Sequence, residues 1–483
     1  IGTGNILTNN ANIQLIGANA NFAQLATLAN NQGSLTIGNG ANFATAAPLV
    51  NTGTIVSAAG GTLTIPAMGS KFPSVPLTNN GLIENNGTTI ASSNISGKGT
   101  FNNAGTLTVL SGANVQIADS TNFSKGTLTG GAWIVDSTGG TKAATLAIGS
   151  GNITTNNANI ALIGSNAAFN QLTGLQNNQG ALTIGQGVNF TNASLLNTGT
   201  LTVQAGGNIN LAKSGNVSNG TLTGGTWVVD GSGNSKLTAS MVVGSGAITT
   251  NNANVALIGA GARFTQIDNL ANNNGSLTVS NGAKFASAAM SNSGSLTVAS
   301  GGIVNIASSG NLANGTLTGG TWVVDNTAGT SSLTVGSSAI RTNSANIELI
   351  GSGAVNSFTR LDGLSSNTGS LTIGAGASLD EGGKGILALN STGTLTVTSG
   401  GNANLAKSAN LSGGTLTGGT WVVDGSGGSA ATMQIGTSNI TTNNANIKLI
   451  GANANFAQLG SLANQGTLTI ANGANLTTAA SLN

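Results

Sequence analysis

Eleven carboxylates and thirteen basic side chains are spread over 483 residues, and histidine, cysteine and tyrosine are absent. Without imidazole or thiol there is no imidazole general base, thiolate nucleophile, zinc finger, haem ligand or iron–sulfur cluster. Two carboxylate patterns remain to be weighed. Asp136, Asp230, Asp325 and Asp424 each follow a tryptophan motif, mostly ahead of a Gly/Ser-rich turn. They recur about 95 residues apart, too far to share an ion if intervening chain is coiled at about 4.8 Å per turn. They read as turn caps. Asp380 and Glu381 are adjacent, with Lys384 close by. A glycosidase or lyase needs clustered acids in a groove, and one pair in a Gly-rich turn does not supply that. The expectation is a non-enzymatic chain with no cofactor, no metal site and no small-molecule substrate. Gly-x-Gly triplets occur throughout and carry no nucleotide-binding meaning. Sequons such as Asn189-Phe-Thr, Asn219-Gly-Thr and Asn314-Gly-Thr arise by chance in so Asn- and Thr-rich a chain.

Composition narrows the class further. Glycine accounts for 76 residues, charged residues for 5% and aromatics for 3%, while hydrophobic residues reach 39%. Periodic Leu, Ile and Val argue against disorder. The net charge of +2, with no Lys/Arg cluster, gives no nucleic-acid footprint. No apolar run is long enough for a transmembrane helix. The chain begins at Ile1 without a signal peptide, as a mature or excised segment would. Absence of cysteine fits a reducing compartment or a cysteine-avoiding exported protein.

Repeats carry the fold. Thr-Asn-Asn-Ala-Asn-Ile starts at Thr8, Thr155 and Thr442, with variants at Thr250 and Thr342. Each is followed by x-Leu-Ile-Gly, where x is Gln14, Ala161, Ala256, Glu348 or Lys448. A position accepting Gln, Ala, Glu and Lys between apolar neighbours faces water, which is strand alternation with one buried face. A second motif, Gly-Thr-Leu-Thr-Gly-Gly-Thr/Ala-Trp, holds all four tryptophans, Trp133, Trp227, Trp322 and Trp421, at spacings of 94, 95 and 99 residues. The repeat units are 1–147, 148–242, 243–334, 335–434 and a partial 435–483. The first carries about 50 extra residues.

A shorter beat runs inside each unit. Thr/Ser/Ala-Leu-Thr recurs at 181, 200 and 221, at 276, 295 and 316, and at 370, 394 and 415. These gaps of 19 to 24 predict an all-β parallel β-helix (β-solenoid) with about 19–20 residues per coil and five coils per unit. Roughly 24 coils at about 4.8 Å would make one continuous solenoid of the order of 115 Å. Leu201 and Val203 point inward and Thr200 and Thr202 outward. Glycine supplies positive φ at corners. Asparagine supports left-handed turns and stacks into amide ladders. Phe22, Phe169, Phe264 and Phe456 in one slot, with Phe358 near it, and Phe43, Phe190 and Phe285 in another, read as core stacks.

All four prolines lie between Pro48 and Pro76, so 48–100 reads as an irregular insertion. Its Pro66, Met68, Lys71, Phe72, Pro73 and Pro76 form the candidate interaction protrusion. Residues 435–483 repeat 1–51, so the chain stops within a unit. That fits a window of a longer protein, or bare ends that stack between copies.

The Gly-Thr-Leu-Thr-Val/Ile coils, Asn-rich turns and missing cysteine resemble large bacterial exoproteins, the filamentous haemagglutinin-like and autotransporter-passenger β-solenoids. The resemblance spans essentially the whole chain. It implies a right-handed parallel β-helix, export to the extracellular space or cell surface, and adhesion or biofilm roles. Two functions follow as expectations. One is a rigid adhesin stalk whose partner is a surface, glycan or host ligand. The other is a self-associating filament or sheath subunit. Ice binding through outward Thr-x-Thr pairs is a minor third.

Overall fold

The structure, a computed structural model, describes residues 3–44, 46, 48–65, 77–85, 93–234, 236–381 and 384–476. It is all-β, built of short parallel strands stacked coil upon coil into a β-solenoid, with turns averaging about 24 residues. The chain forms two compact units. One comprises Ile1–Ser218 with Gly224–Ser245, the other Asn219–Thr223 with Gly246–Asn483.

A regular coil has three short strands. In one coil these are Leu196–Asn197, Thr200–Gln204 and Asn208–Leu211. The middle strand alternates as expected, with Leu201 and Val203 fully buried and Thr200 and Thr202 half-exposed. The strand below places Leu182 on Leu201 and Ile184 on Val203, so like residues stack along the core. Glycine before the strand has a packing reason. A Cβ on Gly199 would strike the carbonyl oxygen of Gly180 in the neighbouring coil. Backbone approach, more than positive φ, excludes a side chain there.

The coil count corrects the sequence reading. In the first unit the middle strand steps from Asn159 to Ala181, Thr200 and Thr226, intervals of 22, 19 and 26 residues. The second steps from Asn254 to Ser276, Ser295 and Thr321, the same intervals. Each 95-residue repeat therefore makes four coils of about 24 residues, not five of 19–20. The Thr-Leu-Thr at 316 is not a rung of this strand. Ser295 aligns with Thr321 and Leu296 with Trp322. The intervening residues form a small antiparallel hairpin, Leu312–Ala313 against Thr316–Leu317. Asn314 and Gly315 turn it, both with positive φ, the geometry of a tight two-residue connection.

Described parts of the extra 50 residues of the first repeat are also regular. Strands Leu49–Asn51, Thr54–Ser57, Leu77–Asn79 and Leu82–Asn85 are in register with their neighbours. The middle strand steps from Thr54 to Leu82 to Thr106. The described residues of 48–100 supply two further rungs of the stack, while 66–76 and 86–92 of the expected irregular insertion lie outside the described residues. Pro48 sits just before the strand Leu49–Asn51.

Candidate functional site

The densest polar network is inside the solenoid. In the first unit Asn9, Asn31, Asn51, Asn79 and Asn103 form one column, each Nδ2 donating to the next Oδ1 at 2.7, 2.7, 2.9 and 2.8 Å. Asn156, Asn178 and Asn197 form another at 2.8 Å per step. The second unit repeats it with Asn251, Asn273 and Asn292, and with Asn343, Asn367 and Ser391. These side chains are buried, several completely. An amide taken from water without partners costs about 1–3 kcal/mol in proteins. Here every step is satisfied, and each Nδ2 also donates to a backbone carbonyl, as Asn178 does to Thr200.

The columns end at the tryptophan motif for a steric reason. Gly225 occupies the rung after Asn197, with φ +68°, and a Cβ there would collide with the Asn197 carbonyl oxygen. Gly320 stands in the same relation to Asn292. The double glycine bends the strand, and the next backbone carbonyl accepts the terminal amide, Asn197 Nδ2 to Thr226 at 3.1 Å. A hairpin asparagine completes the cap. Asn122, Asn216, Asn311 and Asn410 accept from the backbone N–H of Asn103, Asn197, Asn292 and Ser391 at 2.6–2.7 Å. Each Nδ2 donates back to the same residue's carbonyl oxygen. Sequence reasoning missed these caps. The recurring Ser-x-Asn at 120–122, 214–216, 309–311 and 408–410 carries the signal.

The other sequence candidates have plain structural places. All four tryptophans are fully buried, and each indole N–H donates at 2.9 Å to the backbone oxygen of a motif glycine, Gly130, Gly224, Gly319 or Gly418. Phe169, Phe264, Phe456, Phe43, Phe190, Phe285 and Phe358 are buried, and Phe22 is half-buried. Asp136 and Asp325 accept from the N–H and hydroxyl of Thr138 and Thr327, and Asp230 from Ser232. Asp424 accepts from the N–H of Ser426. They are turn caps four coils apart. Asp380–Glu381 pairs with Lys384–Gly385 in a two-stranded hairpin. Pro66, Met68, Lys71, Phe72, Pro73 and Pro76 lie outside the described residues.

Open grooves on the surface include ones of about 270, 420 and 410 Å³. The first runs past Gln186, Gln204, Asp230, Ser232, Asn234 and Leu237. The second lies beside Leu175, Asn177, Asn192 and Leu196, and the third beside Lys407, Ser408, Leu411 and Thr437. None gathers an acid pair, and among the described residues no group of three or more Asp and Glu is placed to hold a metal ion. Burial raises the Asp268 carboxyl above its ordinary value.

The outward Thr/Ser-x-Thr pairs are interrupted along the stack. Ser276/Thr278 and Ser295/Thr297 are followed by Thr321/Val323 and Asn346/Glu348. Among the described residues no flat, uninterrupted threonine array forms. No helix among the described residues is long and apolar enough to cross a membrane. Comparison with protein-family models, curated proteins and solved structures finds no match.

Proposed function

We propose that the chain is a non-enzymatic structural segment of an exported bacterial adhesin-like fibre, a β-solenoid spacer of the filamentous haemagglutinin-like or autotransporter-passenger kind. Its place is then extracellular or at the cell surface. The observation that carries this reading is where sequence constancy falls. Interior positions repeat from unit to unit: the tryptophan on its glycine carbonyl, the asparagine columns and their Ser-x-Asn caps. The outward position x changes freely among Gln14, Ala161, Ala256, Glu348 and Lys448. Such a chain specifies a scaffold, with nearest-neighbour coils as its stabilising unit. Binding to a surface, glycan or host ligand belongs, in this reading, to local departures from the repeat or to other parts of the same fibre.

Negative-stain electron microscopy of the purified chain at micromolar concentration tests the proposal. Separate elongated particles are expected. Long end-to-end filaments would make self-assembly the function instead, and compact globules would overturn the spacer reading.

A further inference from the structure

The variable outward position produces one arrangement the spacer reading does not require. Glu348, Thr372, Thr396, Val422 and Lys448 follow one another in register on five successive rungs of the second unit. Their inward neighbours Ile347, Leu371, Leu395, Trp421 and Ile447 are buried, so this row lies on the solvent face of the sheet. Glu348 is half-exposed and Lys448 exposed. The three residues between them are small or β-branched and uncharged. The two charges stand two rungs either side of Thr396, about 19 Å apart.

We propose that this face pairs with the same face of a second copy, the two stacks running in opposite directions. A two-fold axis parallel to the strands and level with Thr396 keeps each residue's column and reverses the rung order. Glu348 of one copy then faces Lys448 of the other, and the reverse, as an isologous contact demands. Thr372 faces Val422, and Thr396 faces its own mate. The remaining charges of the face fit this arrangement. Asp325 lies diagonally beside Glu348, and under the same operation it meets Ala471. Asp424 lies diagonally beside Lys448, with Oδ1 taken by the Ser426 N–H, and it meets Gly374. No like charges are opposed. Stacked in the same direction instead, the copies would set Glu348 on Glu348 and Lys448 on Lys448, so the charges select the antiparallel arrangement.

Over the seven rungs from Val323 to Thr469 the face measures about 29 Å by about 13 Å. That is roughly 750 Å² over both copies, the size of a weak, reversible contact. The pairing goes beyond the spacer proposal, since an unpaired solenoid would still be a spacer.

Sedimentation equilibrium of the full chain, at concentrations up to about 1 mM, tests it. The parent should form dimers that weaken when salt is raised to about 0.5 M. E348K alone and K448E alone should each weaken dimerisation about tenfold or more, because each reversal opposes like charges at both symmetric contacts. The double variant E348K/K448E should regain parental association. Circular dichroism checks that all variants are folded, and exposed positions on a solenoid face tolerate these changes. A parent that stays monomeric, singles that associate like the parent, a double variant that is not restored, or assemblies larger than dimers would each overturn the pairing.

Discussion

Replacing Asn178 by Asp exchanges one amide for an isosteric acid in the middle of a buried column. Asn178 has 0% of its surface exposed and makes three side-chain hydrogen bonds. It accepts from Asn156 at 2.8 Å and donates to Asn197 Oδ1 at 2.8 Å and to the Thr200 oxygen at 2.9 Å. A protonated carboxyl keeps the first two and loses the third, a cost of about 1 kcal/mol. An ionised carboxyl cannot donate at all. It sets its charge against Asn197 Oδ1 in a dry column, so folding raises its pKa above the unfolded value of about 3.9, by about 3–5 units for a fully buried acid. For an acid held neutral by the fold, stability is intact below the unfolded pKa. It falls as pH rises, until the folded pKa is passed. Each unit costs about 1.4 kcal/mol, so between about pH 4 and pH 7 the variant loses roughly 4 kcal/mol more than the parent. Urea midpoints from tryptophan fluorescence at both pH values read this directly, and midpoints are the appropriate quantity because long repeat arrays need not unfold in two states. Asn157→Asp, at the exposed position directly after the column residue Asn156 on the same strand, is the control. A pH-independent deficit for Asn178→Asp, or the same pH dependence in the control, would refute the argument that the column is dry and continuous.

Further substitutions probe the cap and the core. Gly225→Ala places a Cβ against the Asn197 carbonyl oxygen at φ +68°, and should cost about 3 kcal/mol or more. Gly233→Ala, with nothing within 4 Å of its Cβ, should shift the urea midpoint little. Trp322→Phe removes the indole donor to Gly319 and leaves a cavity, for a loss of about 2–4 kcal/mol in the same assay. Burial raises the Asp268 carboxyl, so the fold disfavours its ionised form, and that contribution declines as pH rises past the unfolded value. Asp268→Asn should therefore match the parent near pH 3 and be no less stable at pH 7, by thermal melting at both.

The legible and illegible parts of the fold have different physical origins. Inward Leu201 and Val203 and stacked asparagines were readable because each follows from a residue's chemistry at a periodic position. Coil number was not. The same Thr-Leu-Thr string serves as a core rung at Thr200 and as the far arm of a hairpin at Thr316, and only spatial register separates the two. Bulk gave a partial clue, since Trp322 stands on Leu296 while Leu317 faces Leu312. The regular rungs within the first repeat's insertion were illegible for a similar reason. Its prolines suggested disruption, yet Leu49–Asn51 and Leu77–Asn79 carry Asn51 and Asn79 in the same column as Asn31 and Asn103 of the flanking coils. Of the candidate surfaces, the turn-capping role of the four aspartates was legible from the turn residues that follow them. The Glu348–Lys448 row was not, because charges 100 residues apart acquire a common column only once four coils of unequal length are in register.

Deleting one whole repeat, residues 148–242, tests the central claim most directly. Removing four coils in register should leave a folded β-protein with an unchanged per-residue β-strand circular-dichroism signal and its three remaining tryptophans still buried by fluorescence. An unfolded product, or one whose remaining tryptophans become exposed to water, would contradict a scaffold built from four-coil repeats that stabilise one another only through their neighbours.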